Sequence, residues 1–76
     1  MKELLEYIAK SLVKHPDQVR VTEVEGDRST IYELHVAPED IGKVIGKQGR
    51  VARAIRTTVK AAAPREGRAV HVEIID

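Results

Sequence analysis

The sequence predicts an α+β two-layer fold, with a three-stranded mixed sheet covered on one face by three helices. Three observations lead there. Apolar residues recur at helical spacing in three stretches and alternate with polar ones in three others, in the order α-β-β-α-α-β. A short turn joins the first two strands, which makes them an antiparallel hairpin. The last strand follows a helical crossover, which favours a mixed sheet over a purely antiparallel one.

Residues 2–14 read as an amphipathic helix. Leu4, Leu5, Ile8, Leu12 and Tyr7 form its apolar stripe, with Glu3, Glu6, Lys10 and Lys14 mostly outside. His15-Pro16-Asp17 ends it, because the residue before proline avoids helical angles. Residues 18–25 alternate and read as a strand, Gly26-Asp27-Arg28-Ser29 as a turn, and Thr30 to Val36 as a second strand. Pro38-Glu39-Asp40 opens a short helix over about residues 38–45, since proline is tolerated in a first turn and acids there favour the helix dipole. That helix must end near Gly46. Another begins at Gly49 or Arg50 and runs to about Ala62, with Val51, Ile55, Thr58 or Val59, and Ala62 as its buried stripe. Pro64 to Gly67 read as a loop and Ala69 to Ile75 as the last strand.

At 76 residues, 42% of them apolar, the chain reads as a single domain over residues 1–76 with one core. A chain of this size buries only about 60% of its unfolded surface. It has no cysteine, which excludes disulfides and thiolate metal sites and suits a reducing cytoplasm. Acids stand near the N-terminus where a secretory leader would be apolar, and no apolar run reaches the roughly 18 residues of a membrane span. A cytoplasmic location is expected.

The net charge of +1 hides an asymmetry. Lys43, Lys47, Arg50, Arg53, Arg56 and Lys60 put +6 into residues 41–60 with no acid, while residues 1–40 sum to −4. A basic face on an acidic body suits a polyanionic partner. Arg56 and Lys60, farther along the helix, read as solvated charges at its periphery.

The basic stretch surrounds Gly46-Lys47-Gln48-Gly49. Two glycines let a sugar-phosphate backbone approach the main chain closely. The N–H groups opening the next helix can donate to phosphate oxygens. Lys47 adds a mobile cation, Gln48 a neutral donor and acceptor, and Arg50 and Arg53 extend the positive track. Lys43 adds charge on the preceding helix. Gly42 and Ala52, being small, are expected to keep a shallow groove open for bases. Ile45 and Val44 offer apolar walls, one of the two belonging to the core. Because the loop is exposed, replacing both Gly46 and Gly49 by Asp is expected to leave the fold largely intact.

This helix–Gly-Lys-Gln-Gly–helix unit resembles the GxxG signature of the KH domain, and the α-β-β-α-α-β order resembles its type II, bacterial form. The resemblance spans essentially the whole chain. In length, and in the run from Val44 to Arg56, it is similar to the small stand-alone KhpA-type family. The resemblance implies recognition of single-stranded RNA, with the loop clamping about four nucleotides. It further implies a global RNA-binding or RNA-chaperone role affecting growth and division. It also implies self-pairing, or pairing with a larger KH-containing bacterial protein. Many KH domains carry a branched aliphatic residue where this chain has Ala52. The chain has two tyrosines and neither phenylalanine nor tryptophan. Aromatic stacking platforms, worth about 1–3 kcal/mol per base, are therefore scarce, and modest affinity with weak base discrimination follows.

No catalytic residue, metal or cofactor is expected. His15, His35 and His71 lack ligand spacing. The serines and threonines lack a His-Asp partner pattern. The glycine loop lacks the length and Lys-Ser/Thr ending of a nucleotide-binding P-loop. The alternative to RNA binding is a protein-interaction or dimerisation module.

Overall fold

In the computed structural model, which describes residues 1–63 and 69–75, α1 (Lys2–Leu12) leads through a 3-10 turn at Pro16–Gln18 into β1 (Arg20–Glu25) and β2 (Ser29–His35). A second 3-10 turn, Pro38–Asp40, opens α2 (Ile41–Ile45). A third, Lys47–Gly49, opens α3 (Arg50–Ala62), and β3 (Ala69–Ile75) follows. The loop expected at Pro64 to Gly67 lies outside the described residues.

The sheet order is β1-β2-β3, with β1 antiparallel and β3 parallel to β2. This is the mixed α+β architecture of the type II KH fold. Residues of β2 alternate between buried and half-buried, so one face of the sheet is covered. Register places Val21, Leu34 and Ile74 in one row on that face, and Tyr32 beside Val72 in the next. Leu5 and Ala9 of α1, Val44 of α2, and Ile55 and Val59 of α3 close over these rows. Fully burying such aliphatic side chains contributes about 1.5–3 kcal/mol each.

Several boundaries differ from the sequence reading, each for a local reason. The strand expected from residue 18 starts at Arg20, because Pro16 seeds a turn closed by Gln18 and Val19 N–H donors on His15 and Pro16 carbonyls. The helix expected over residues 38–45 divides into a 3-10 turn and the five residues of α2. On α1 the stripe is narrower than the pattern suggested, with Tyr7 72% and Leu12 39% exposed. On α3 the buried stripe is Ala52, Ile55 and Val59, while Val51 is half-buried and Ala62 exposed. His35 and His71 sit on adjacent strands but out of register, His71 facing Ile31 and His35 facing Ile75.

Candidate nucleic-acid interface

The site begins with a buried carboxylate. Asp40, 1% exposed, stands immediately before α2. Its two oxygens accept the main-chain N–H groups of Lys14 (3.1 Å) and His15 (2.9 Å), just past the end of α1. Burial works to raise this carboxyl, but the two donors, aided by His15 and Lys43, hold it below its ordinary value. Next to it, His15 Nε2 lies 3.2 Å from Glu39 Oε1. Asp40 thus ties the entry of α2, and with it the loop that α2 carries, to the body of the domain. Sequence reasoning had assigned Asp40 only a helix-dipole role. Nothing local in the sequence reveals donors 25 and 26 residues away.

Six residues after Asp40, Gly46 caps α2, its N–H donating to the Gly42 carbonyl at 2.9 Å. Gly46 has φ 76° and ψ 173°, which favours glycine. A Cβ there would run into the Val51 side chain and lie 2.9 Å from the Val51 nitrogen. The loop is therefore exposed at its tip but closed at its first glycine. The expectation that Asp at both glycines would leave the fold intact fails at Gly46 for this steric reason. Gly49 also has positive φ (73°), yet a Cβ there meets nothing within 4 Å. Between them Gln48 sits in the left-handed region at φ 57°, ψ 28°, a conformation costing a non-glycine residue about 1–2 kcal/mol.

The result is a tight 3-10 turn closed by Gly49 N–H on the Gly46 carbonyl and Arg50 N–H on the Lys47 carbonyl. The N–H groups of Lys47 and Gln48, at the start of that turn, are the ones such geometry leaves without an internal partner. Both side chains are exposed, as are those of Lys43, Arg50 and Arg53. Neither tyrosine is on the loop or on α3; Tyr7 is exposed on α1 and Tyr32 is buried in the sheet.

The remaining expected residues separate. Ile45 is 38% exposed and Val44 fully buried, which settles which of the two belongs to the core. Gly42 is exposed, with open space where a Cβ would stand. Ala52 does not line the surface: it is 4% exposed, and its small size serves close packing of α3.

The two flanks of α3 differ. Arg50, Val51, Ala54, Ile55 and Thr58 meet Ile8 and Leu12 of α1 around an apolar groove of about 340 Å³. The opposite flank carries Arg53, Arg56 and Lys60, and Arg56 Nε donates to the Val72 carbonyl of β3 at 3.1 Å. Among the described residues no group of three or more His, Asp or Glu side chains is placed to hold a metal ion, and no helix is long and apolar enough to cross a membrane.

With this geometry in view, residues 2–74 match the family model described as KhpA/KhpB, KH domain. The chain belongs to the KhpA/KhpB KH-domain family. It is 68% identical over 75 residues to the RNA-binding protein KhpA of Clostridium acetobutylicum, covering 99% of this chain and 100% of the relative. It is 67% identical to the protein of the same name in Clostridium perfringens, with the same coverage. The family is non-enzymatic. Among solved structures it superposes on Era, in a complex with MgGDPNP and a segment of 16S ribosomal RNA, with a TM-score of 0.60 at 20% identity. That match covers 97% of this chain and 30% of Era, and at this identity it speaks to the fold alone.

Proposed function

We propose that this chain is a non-catalytic, single-domain RNA-binding protein that clamps the backbone of single-stranded RNA in its Gly46–Gly49 loop. The observation that carries the reading is the loop's conformation. Gly46, Gln48 and Gly49 all have positive φ, so main-chain N–H groups and the Lys47 cation are presented together at the start of α3. Lys43, Arg50 and Arg53 add exposed cations on the flanking helices, and Gly42 and Ile45 are exposed on α2 as small and apolar surface beside the loop. Relatives at 67–68% identity over nearly the whole chain bear the name of RNA-binding proteins, which supports the same ligand class here. With backbone contacts dominant and aromatic platforms absent from the loop, the domain holds RNA with little base preference. A broad role in the cytoplasm, as an RNA chaperone affecting growth and division, fits such binding.

The test is the paired change Lys47→Asp and Gln48→Asp, which leaves both glycines in place. Aspartate tolerates the left-handed region, so position 48 keeps its geometry. In fluorescence anisotropy with a twelve-nucleotide random-sequence RNA pool, affinity falls about 100-fold, since the Lys47 cation is reversed and a second negative charge replaces neutral Gln48. Unchanged affinity in a folded variant rejects the clamp.

A second reading, compatible with the first, is pairing with another KH domain. The apolar groove between α1 and α3, with exposed Leu12 and small Ala54 and Thr58 in its lining, is suited to a second copy or a larger KH-containing protein. Light scattering at rising concentration reads self-pairing directly; a strict monomer removes the homodimer.

A further inference from the structure

Asp40 is placed to cap α2 and does not cap it. Aspartate is among the best residues for that position, where its side chain accepts from the first free N–H groups of the helix and contributes about 0.5–2 kcal/mol. Here no side-chain cap bond forms. Both carboxylate oxygens go instead to the N–H groups of Lys14 and His15, 26 and 25 residues earlier in the chain. Those two residues have left α1, where Val13 donates the last helical bond to Ala9. The five residues of α2 have little stability of their own, since isolated helices shorter than about 12–15 residues are marginal. Val44 and half-buried Ile41 hold α2 to the core by apolar contact, which is non-directional. The paired bonds at Asp40 are directional. They fix the end of α2 opposite the glycine loop.

We infer that Asp40 is the positioning residue of the RNA-binding loop: its two bonds to the chain leaving α1 set the direction of α2, and so the aim of Gly46–Gly49, without Asp40 touching RNA. This rests on the RNA-binding reading of the loop. On a polyanion, the charge of Asp40 and its geometry work in opposite directions. Removing a carboxylate from a chain of net charge +1 strengthens attraction to RNA. Loosening the aim of the loop weakens binding. The sign of the change therefore separates the two.

The experiment measures binding of a twelve-nucleotide random-sequence single-stranded RNA pool by anisotropy, at neutral pH and well below the melting temperature. It compares wild type, Asp40→Asn, Glu39→Gln, the Lys47→Asp/Gln48→Asp loop variant, and Asp40→Asn added to that loop variant. Asparagine keeps one acceptor and turns an amide donor toward the other N–H, so one tie is lost. Asp40→Asn is expected to weaken binding about tenfold, as for a loop correctly aimed about one-tenth of the time. Glu39→Gln removes the same charge one residue earlier, at an exposed side chain, and is expected to bind as wild type or slightly tighter. Added to the loop variant, Asp40→Asn changes affinity by less than about twofold, because the loop it aims is already disabled. A second measurement uses wild type alone. By reciprocity, saturating RNA protects the Asp40 bonds by the same factor. Amide exchange at Lys14 and His15 then slows about tenfold, while at Gln18 and Val19, bonded to the His15 and Pro16 carbonyls, it changes less than about twofold. Unchanged or tighter binding by Asp40→Asn, an equal loss in the loop-variant background, or exchange at Lys14 and His15 that RNA leaves unmoved overturns the inference. If the loop variant alone binds like wild type, the clamp reading fails and takes the inference with it.

Discussion

One helix, α3, shows two chemistries. Toward α1 it presents Val51, Ala54 and Thr58 around an apolar groove, and toward β3 it presents Arg53, Arg56 and Lys60. Both flanks begin at the same glycine loop. The difference lets a 76-residue chain keep a cationic surface and an apolar surface apart on one helix. A polyanion is drawn to the cationic side by charge, whereas burial of apolar area favours the other. The buried row of Ala52, Ile55 and Val59 lies between the flanks and fixes how each faces outward.

The comparison breaks most severely at the origin shared by both flanks. Gly46→Ala places a Cβ against Val51, whose neighbours line the groove, and forces a non-glycine residue to φ 76°. Chemical denaturation should show a loss of about 2–4 kcal/mol, from overpacking together with backbone strain. A neutral result would mean the loop rearranges freely, and the N–H presentation described above would lose its basis.

A smaller change separates the flanks. Leu12→Glu puts a charge on the rim of the groove at a residue already 39% exposed, so the fold should tolerate it. Self-association, read by light scattering, should weaken at least tenfold, while RNA affinity of the monomer stays within about twofold, because rim charges act weakly at this distance in salt. Equal losses of both would show that the flanks are one surface.

The smallest effect sharpens the loop's own edge. Gly42→Ala meets no neighbour, and alanine in a helix interior is favoured over glycine by about 0.8–1 kcal/mol. The variant should therefore be slightly more stable. If Gly42 keeps the groove open for RNA, the same variant should bind RNA a few-fold more weakly, a stability gain coupled to an affinity loss. Affinity unchanged beside a stability gain would remove Gly42 from the interface.

Much of this was legible in the sequence because it is written in local terms. The alternation of Val70, Val72 and Ile74 located β3 to the residue, and two glycines three apart located the loop. The stripe of α3 was displaced by one position at its start, since Val51 turns to cover Gly46 and the groove while Ala52 takes the core. A periodicity count ranks valine above alanine and misses that choice. In sequence Asp40 reads as a helix-dipole charge and Arg56 as a solvated one. Their partners are main-chain atoms of distant residues, Lys14, His15 and Val72, and main-chain atoms leave no trace in residue identity.

The central claim is that single-stranded RNA is held at the glycine loop. It is tested most directly by titrating isotope-labelled protein with a twelve-nucleotide single-stranded RNA and mapping NMR shift changes. The predicted result is large changes at Gly46 to Arg53, with Ile8, Leu12 and Thr58 quiet. Changes centred on Ile8, Leu12 and Thr58, with the loop unmoved, would contradict it.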